Sequence, residues 1–159
     1  MFDQKAIRII RDTLLSQGKT LAVAESVTAG LLQAALSTAE TASFFFQGGM
    51  TTYNLGQKTK LLDVEPIEAE RNNCVSVAVA EQMARGICER FHSDYGIGIT
   101  GYAATIPEKN VDELFAFFAI AKGAEILKSG KFSSEKKEPI DVQIDYTDRV
   151  LKEFSEILG

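Results

Sequence analysis

Four side chains of this sequence could together perform a hydrolysis: Ser26, Tyr53, Lys58 and Thr100. A serine is a weak nucleophile until a neighbour takes its proton, and a lysine that burial keeps uncharged is a suitable base. A tyrosine hydroxyl can relay or orient that proton. The only histidine, His92, follows an apolar helical run, where a cation complements the helix dipole, so we interpret it as a helix-end residue. The residue types therefore indicate a serine nucleophile with a lysine base.

The region around Ser26 has the pattern of a strand followed directly by a helix. Residues 21–24 are apolar and uncharged, which is typical of a buried strand, and a helical run that we expect to begin at Thr28 follows. Ser26 then lies at the turn, beside free N–H groups of the helix N-terminus that can stabilise an oxyanion. The alternative is that Ser26 and Thr28 only cap the helix, because both residue types are preferred there.

The other candidate residues lie at, or just after, the ends of further strands. Tyr53 closes a β-branched segment, Lys58 lies about one turn into a short helix over 54–62, and Thr100 ends a strand over 95–101. The carboxyl ends of parallel strands face one crevice. We therefore expect these three residues to meet Ser26 in one site.

Strands alternate with helices along the chain, which predicts an α/β fold. We expect further helices between Asp3 and Gly18, over 76–92 and over 140–158, and an antiparallel pair of strands over 114–121 and 124–132. The predicted architecture is a three-layer α/β/α sandwich with a mixed, mostly parallel sheet. A chain of 159 residues predicts a single domain over residues 1–159.

The composition argues against several classes of protein. The net charge is −5 and the 17 Lys and Arg residues are scattered, which disfavours nucleic acid as a partner. No apolar stretch approaches the length of a membrane span and no signal peptide is recognisable, so we expect a cytoplasmic protein with no membrane partner. Cys74, Cys88 and His92 are too few for a usual zinc site, and we expect no metal, no cofactor and no disulfide.

Ordered motifs link this sequence to a known family. Residues 24–30 match the motif Ala-Glu-Ser-(Cys or Ala)-Thr-(Gly or Ala)-Gly, with Val27 in place of the smaller residue. The later matches are, in order, Phe46, Gly48, Gly49, Tyr53, Lys58, Val75, Ser76, Thr100, Gly101, Pro107, Glu108 and Lys109. On these motifs the chain resembles the C-terminal domain of the competence/damage-inducible CinA proteins, also called nicotinamide mononucleotide deamidases, over nearly its whole length.

The resemblance implies hydrolysis of the carboxamide of nicotinamide mononucleotide, which yields nicotinate mononucleotide and ammonia without a metal. It implies that Ser26 is the nucleophile and that Lys58 and Tyr53 are its activating pair. An acyl-enzyme would form on Ser26 while N–H groups at the start of the following helix hold the oxyanion. The residues predicted around the substrate are Thr28, Gly30, Gly49, Thr100, Gly101 and Lys136. The resemblance also implies a homodimer, and the aromatic residues at 44–46 are predicted to be buried in the core or in a subunit interface.

Three departures from the family pattern concern the half of the site that faces the phosphate. Residues 102–106 form a shorter loop without glycine, which would block the nucleotide if it packed over Ser26. Asp112 and Glu113 would repel a phosphate placed beside them. The arginine that the family assigns to the phosphate is at best Lys136, which cannot make a bidentate contact. Two alternatives therefore stay open: a non-catalytic ligand-binding or interaction domain, and an amidase for another small amide.

Overall fold

The fold is described from a computed structural model that covers residues 1–159. The chain forms six helices and five strands. In chain order they are α1 (Gln4–Gln17), β1 (Leu21–Glu25), α2 (Leu31–Ser37), β2 (Phe46–Thr51), α3 (Leu55–Leu62), α4 (Pro66–Arg71), α5 (Val77–Phe91), β3 (Tyr95–Gly101), β4 (Phe115–Lys122), β5 (Glu125–Ser133) and α6 (Pro139–Leu158).

The five strands form one mixed sheet in the order β2-β1-β3-β4-β5. β1 pairs in parallel with both β2 and β3, whereas β4 is antiparallel to both β3 and β5. Four of the five strands consequently run in the same direction, which confirms the predicted mixed sheet. The predicted hairpin is also confirmed, and it turns at Gly123, which has a φ of 59°.

Helices cover both faces of the sheet, so that the chain forms three layers. Leu21 and Val23 of β1 belong to the core beneath α1, α2 and α6, while Ala22 and Ala24 face the core beneath α3, α4 and α5. The alternation follows from the period of two along a strand. α5 packs closely on β3 because glycine occupies the contact: a Cβ on Gly98 would lie 2.7 Å from the Ala84 nitrogen. These layers leave the carboxyl ends of β1 and β3 side by side.

Several predicted boundaries move in the structure. The helix after Ser26 begins at Leu31 and not at Thr28, because Ala29 and Gly30 have positive φ values of 50° and 100° and cannot continue a right-handed helix. The strand before Tyr53 ends at Thr51. Within the aromatic run, Phe45 is buried in the core, whereas Phe44 is 73% exposed in the single chain, so that its burial in a subunit interface stays a prediction.

The helix ends follow the predicted signals more closely. The Asp3 carboxylate accepts from the Ala6 N–H at 3.0 Å, and Gly18 ends α1 with a φ of 62°. Ser76 caps α5 by accepting from the Val79 N–H, and His92 ends that helix. α4 was not predicted. None of the six helices combines the length and apolar character that crossing a bilayer requires.

Candidate active site

Ser26 is the residue that directly follows β1, at the carboxyl end of a central strand. Its N–H donates to the Ile99 carbonyl of β3 at 3.1 Å, which ties the turn to the neighbouring strand. The side chain is 7% exposed, and its Oγ accepts a hydrogen bond from Lys58 Nζ at 2.9 Å. The sequence-predicted nucleophile and base are therefore in direct contact.

Lys58 is buried although it lies on a short surface helix. The Asn54 side chain caps α3 by accepting from the Gln57 N–H, and Lys58 lies one turn further on, directed at the end of β1. Its Nζ donates a second hydrogen bond to the Thr52 carbonyl at 2.8 Å, and the residue is 1% exposed. Burial lowers the pKa of Lys58, and the Cys74 thiol nearby opposes this shift. No carboxylate pairs with the amine, so the lysine is suited to accept a proton.

The first N–H groups of α2 are already bound by a carboxylate of the chain itself. Glu25 is fully buried and accepts from the Leu32 N–H at 2.8 Å, from the Gln33 N–H at 3.0 Å and from the Thr28 hydroxyl at 2.5 Å. The prediction that these helical N–H groups hold an oxyanion is therefore wrong, because Glu25 occupies them. The sequence motif contains this glutamate, but its role was not predicted.

Other N–H groups of the same turn remain free. The Val27 and Thr28 N–H groups donate no hydrogen bond, and Val27 lines the cavity in front of Ser26. The N–H of the residue after a nucleophilic serine is a common member of an oxyanion hole. The Val27 N–H is thus a candidate donor for a negative charge that develops beside Ser26.

A cavity of about 530 Å³ opens at Ser26 and Lys58, between the ends of β1 and β3 and the start of α6. This volume lies within the range of small-molecule sites. Its lining carries two further charged groups, Glu70 and Lys109, and no arginine. No cluster of three or more His, Cys, Asp or Glu side chains is arranged to hold a metal ion.

Two predicted substrate residues lie at this cavity. Thr100 lines it, but the residue is 1% exposed and its hydroxyl donates to the Cys74 carbonyl at 2.8 Å. Its hydroxyl thereby holds the segment between α4 and α5 in place. Gly101 also lines the cavity, and a Cβ there would lie 2.6 Å from the Ala116 Cα, so that only glycine fits.

Tyr53 lies at the rim of the cavity and is 69% exposed. No hydrogen bond joins its hydroxyl to Lys58 or Ser26. The structure therefore brings the tyrosine to the site without forming the activating pair that the resemblance implies. An exposed ring at the mouth is instead suited to pack against an aromatic ligand.

Four other predicted substrate residues do not line the cavity. Thr28 is fully buried against Glu25, and Gly30 is the N-terminal cap of α2. Gly49 lies within β2, where a Cβ would approach Val23 Cγ2 to 2.7 Å, so this glycine serves sheet packing. Lys136 follows β5 and lines a separate depression of about 640 Å³.

The acidic residues that depart from the family pattern also lie outside the lining of the Ser26 cavity. Asp112 and Glu113 line the same separate depression as Lys136 and are absent from the cavity lining. This depression adjoins the cavity at Ala104, which lines both. The loop at 102–106 forms part of the cavity wall and does not fill the cavity, because the Tyr146 hydroxyl donates to the Tyr102 carbonyl at 2.9 Å and holds the loop against α6.

Sequence reasoning missed several polar residues of the lining. Lys109 belongs to the Pro-Glu-Lys motif, which could have indicated a site residue, but no role was predicted for it. Nothing in the sequence indicated Gln143 as a site residue, because it lies on an amphipathic helix whose pattern indicates only packing. The polar lining residues without a predicted role are Asn54, Glu70, Asn73, Cys74, Lys109 and Gln143.

Comparison with known proteins agrees with this arrangement. Residues 3–157 match the family model described as the CinA C-terminal domain. The chain belongs to the CinA C-terminal domain family. The motif that carries Ser26 and the one that carries Lys58, separated in sequence, meet in this structure at the hydrogen bond between their side chains.

Curated CinA relatives are longer than this chain. A protein of Streptococcus pneumoniae strain 70585, named as a competence-damage inducible protein, is 38% identical over 122 residues. The match covers 76% of this chain and 29% of that relative. A protein of the same description from strain Hungary19A-6 is 37% identical over the same length. The chain thus spans less than a third of the length of these relatives.

Solved CinA structures have the same fold. The competence or damage-inducible protein from Enterobacter asburiae superposes with a TM-score of 0.91 at 25% identity, covering 98% of this chain and 97% of that chain. A CinA superfamily protein from Escherichia coli gives a TM-score of 0.85 at 28% identity, covering 95% of this chain and 87% of that chain. The α/β architecture is therefore that of the CinA superfamily.

Proposed function

We propose that this chain is an amidohydrolase that converts nicotinamide mononucleotide to nicotinate mononucleotide and ammonia. The observation that carries the proposal is the 2.9 Å contact between Lys58 Nζ and Ser26 Oγ at the edge of a cavity of suitable size. Burial lowers the pKa of Lys58. Side chains with shifted pKa values cluster at catalytic sites.

Acylation begins when Ser26 Oγ attacks the carboxamide carbon and Lys58 accepts the hydroxyl proton. The tetrahedral intermediate carries an oxyanion, which the free Val27 N–H stabilises. The intermediate collapses as the C–N bond breaks, and Lys58 returns its proton to the leaving ammonia. The product of this half-reaction is an ester between the nicotinate carbonyl and Ser26.

Deacylation repeats the same steps with water as the nucleophile. Lys58 takes a proton from water, which attacks the ester carbonyl, and the same N–H donor stabilises the second oxyanion. Lys58 then protonates Ser26 Oγ as the ester bond breaks. The carboxylic acid product releases its proton to the solvent and leaves as the carboxylate, and the serine and the uncharged lysine are restored.

The charges of the cavity wall complement the charges of this nucleotide. Nicotinamide mononucleotide has a cationic ring and an anionic phosphate. Glu70 and Lys109 both line the cavity and do not form an ion pair with each other, so each is available to a ligand. We assign the ring to the side of Glu70 and Tyr53, and the phosphate to Lys109.

A second candidate is an amidase for a small amide without a phosphate. The observation that favours it is the lining of the cavity, which holds no arginine and one lysine besides Lys58. A single exposed lysine binds phosphate more weakly than a bidentate arginine. A domain that only binds a ligand is the remaining alternative, and it does not account for the buried contact between Lys58 and Ser26.

Ammonia release from nicotinamide mononucleotide tests the proposal. We expect turnover by the wild-type chain, nicotinate mononucleotide as the product by mass spectrometry, and a loss of about 10³-fold or more in Ser26→Ala. Ser37→Ala is the matched control, because Ser37 Oγ bonds only to its own helix, outside the cavity, and this variant retains full activity. Turnover of nicotinamide but not of its mononucleotide would favour the second candidate. No turnover of any amide would contradict catalysis.

A further inference from the structure

The turn that carries Ser26 has three successive carbonyl groups, and all three are held. Two are held locally: the Ser26 carbonyl accepts from the Ala29 N–H at 3.1 Å, and the Thr28 carbonyl accepts from the Leu31 N–H at 3.0 Å. The middle one is held from a distant part of the chain. The Val27 carbonyl accepts from Gln143 Nε2 of α6 at 2.9 Å.

This middle contact acts on the peptide groups next to the nucleophile. A peptide is planar and trans, so a fixed carbonyl fixes its N–H in the opposite direction. The Gln143 contact therefore fixes the Val27–Thr28 peptide, while the Ala29 contact fixes the Ser26–Val27 peptide, which carries the free Val27 N–H. Without Gln143, neither the carbonyl nor the N–H of the Val27–Thr28 peptide would make a hydrogen bond.

Gln143 also lies at the cavity. The residue is part of the cavity lining. Its amide nitrogen, and not its amide oxygen, faces the Val27 carbonyl, because a carbonyl oxygen can accept only from the NH₂ group. The charged groups of this lining are Lys58, Glu70 and Lys109, and none of them bonds to Gln143. The one hydrogen bond of the Gln143 side chain is thus the bond to the turn.

We propose that Gln143 is a positioning residue of the Ser26 centre, which holds the Val27 carbonyl and thereby keeps the turn that carries the nucleophile in its reactive geometry. The inference rests on the proposed function for the role of Ser26 as nucleophile, but it does not depend on which amide is the substrate. Misplacement of a reacting group by about 1 Å can cost about 100-fold in rate. The expected effect of losing the contact is therefore a 10- to 100-fold loss in the reactivity of Ser26.

A fluorophosphonate reagent measures that reactivity without a substrate. Ser26 Oγ attacks phosphorus, an O–P bond forms, the P–F bond breaks with loss of fluoride, and Lys58 takes the serine proton. The rate of labelling is measured by intact-mass spectrometry for the full chain, for Ser26→Ala and for Gln143→Leu. The control is Gln82→Leu, which removes a glutamine side chain that bonds to a backbone N–H, that of Glu65, outside the cavity.

A second variant separates positioning from a general loss of folding. Gln143→Glu keeps the shape of the side chain, but it can donate to the Val27 carbonyl only when its carboxyl is protonated. A glutamate has an ordinary pKa of about 4.3, so its donor form grows as the pH falls towards 5. The labelling rate of Gln143→Glu relative to wild type should therefore rise about twofold or more between pH 8 and pH 5. The same ratio for Gln143→Leu should stay constant.

The outcomes distinguish this inference from the proposed function. Slow labelling of Gln143→Leu with normal labelling of Gln82→Leu, together with the pH-dependent ratio of Gln143→Glu, supports positioning, even if nicotinamide mononucleotide is not a substrate. Normal labelling of folded Gln143→Leu overturns the inference, even if the wild-type chain hydrolyses the nucleotide. A constant ratio for Gln143→Glu, or no labelling of the folded wild-type chain at Ser26, also overturns it.

Discussion

In the proposed mechanism, the protonation state of Lys58 decides whether Ser26 can react. Burial lowers the pKa of its amine, and its two hydrogen bonds aim the amine at the Ser26 hydroxyl and at the Thr52 carbonyl. The uncharged amine is the catalytic form, because a protonated lysine cannot accept a proton. The charge state of one buried side chain thus links the chemistry of the site to pH.

The pH dependence of activity follows from the direction of this shift. Catalysis should rise as the pH increases through the lowered pKa of Lys58 and then level off below pH 10.5, the ordinary value. Lys58→Met should lose about 10²- to 10⁴-fold of the wild-type rate on the high-pH plateau, and less at lower pH, where Lys58 of the wild type is protonated. Rates measured from pH 6 to pH 10 test this prediction. A wild-type rate that is independent of pH would contradict it.

The same shift predicts how stability depends on pH. Because the pKa of Lys58 is lower in the folded chain, the unfolded chain binds more protons between the two pKa values, and the free energy of unfolding rises with pH in that window. The contribution is complete above the unfolded value and is lost as the pH falls through the folded one. Urea unfolding at pH 7 and pH 9 should show wild type gaining stability relative to Lys58→Met.

The sequence predicts the reacting residues better than the residues that surround them. Ser26 and Lys58 could be identified because their types and motif spacing restrict the chemistry. Lys136 was placed wrongly, since nothing in the sequence shows where the loop after β5 folds. Gln143 could not be found at all, because its partner is a backbone carbonyl 116 residues away and leaves no pattern in the sequence.

At the scale of elements, β1, its turn and α2 form one unit held by Glu25. The carboxylate accepts two N–H groups of α2 and the Thr28 hydroxyl, while the Glu25 carbonyl accepts from the Thr52 N–H at 2.8 Å. A buried anion at a helix N-terminus is stabilised by the helix dipole as well as by these bonds. Glu25 therefore connects the nucleophile turn to the strand on one side and to the helix on the other.

Glu25→Gln should weaken this unit. The amide NH₂ cannot accept from the Gln33 N–H, which leaves a buried donor unpaired, and hydrogen bonds to charged groups contribute about 1.5–3 kcal/mol each. We expect the free energy of unfolding in urea to fall by about 2–4 kcal/mol. Asp3→Asn is the control at the start of α1, where asparagine is an equally good cap. Equal stability of Glu25→Gln and Asp3→Asn would contradict this account.

The elements themselves were predictable where one signal dominated. α1 has a capping aspartate, an apolar stripe and a terminal glycine, and its ends agree with prediction. The predicted start of α2 was wrong because Ser and Thr in the motif are typical caps. The chain instead turns through Ala29 and Gly30 before the helix begins. α4 is only six residues long, too short for a recognisable period.

At the scale of the whole molecule, the mixed sheet is what brings the site together. β1 and β3 are parallel neighbours, so Ser26 and Thr100 lie side by side at the carboxyl ends of these strands. The alternation of strands and helices in the sequence was sufficient to predict this layout. The packing of α6 next to these strand ends could not be predicted, because amphipathic periodicity indicates the buried face of a helix but not its position on the sheet.

Self-association is a prediction for the whole molecule. Phe44 is 73% exposed, next to the buried Phe45, and exposed aromatic rings are enriched in interfaces. We expect a homodimer in sedimentation at micromolar concentration, and a shift towards monomer in Phe44→Asp. Ile67→Asp is the matched control, since Ile67 is 67% exposed on α4. A monomeric wild-type chain, or a dimer insensitive to Phe44→Asp, would contradict an interface at this position.

The contact between Gln143 and the Val27 carbonyl also has a consequence for protein synthesis. Ribosomes add about 5–20 residues per second, so about 6–23 seconds separate the two partners, which lie 116 residues apart in the chain. During that interval β1 and Ser26 are already made, but the helix that holds the turn and the Tyr102 loop is not. Docking of α6 must also close a long segment of chain, which is a slow step. A nascent chain therefore carries Ser26 without the Gln143 contact until α6 has been synthesised and has docked.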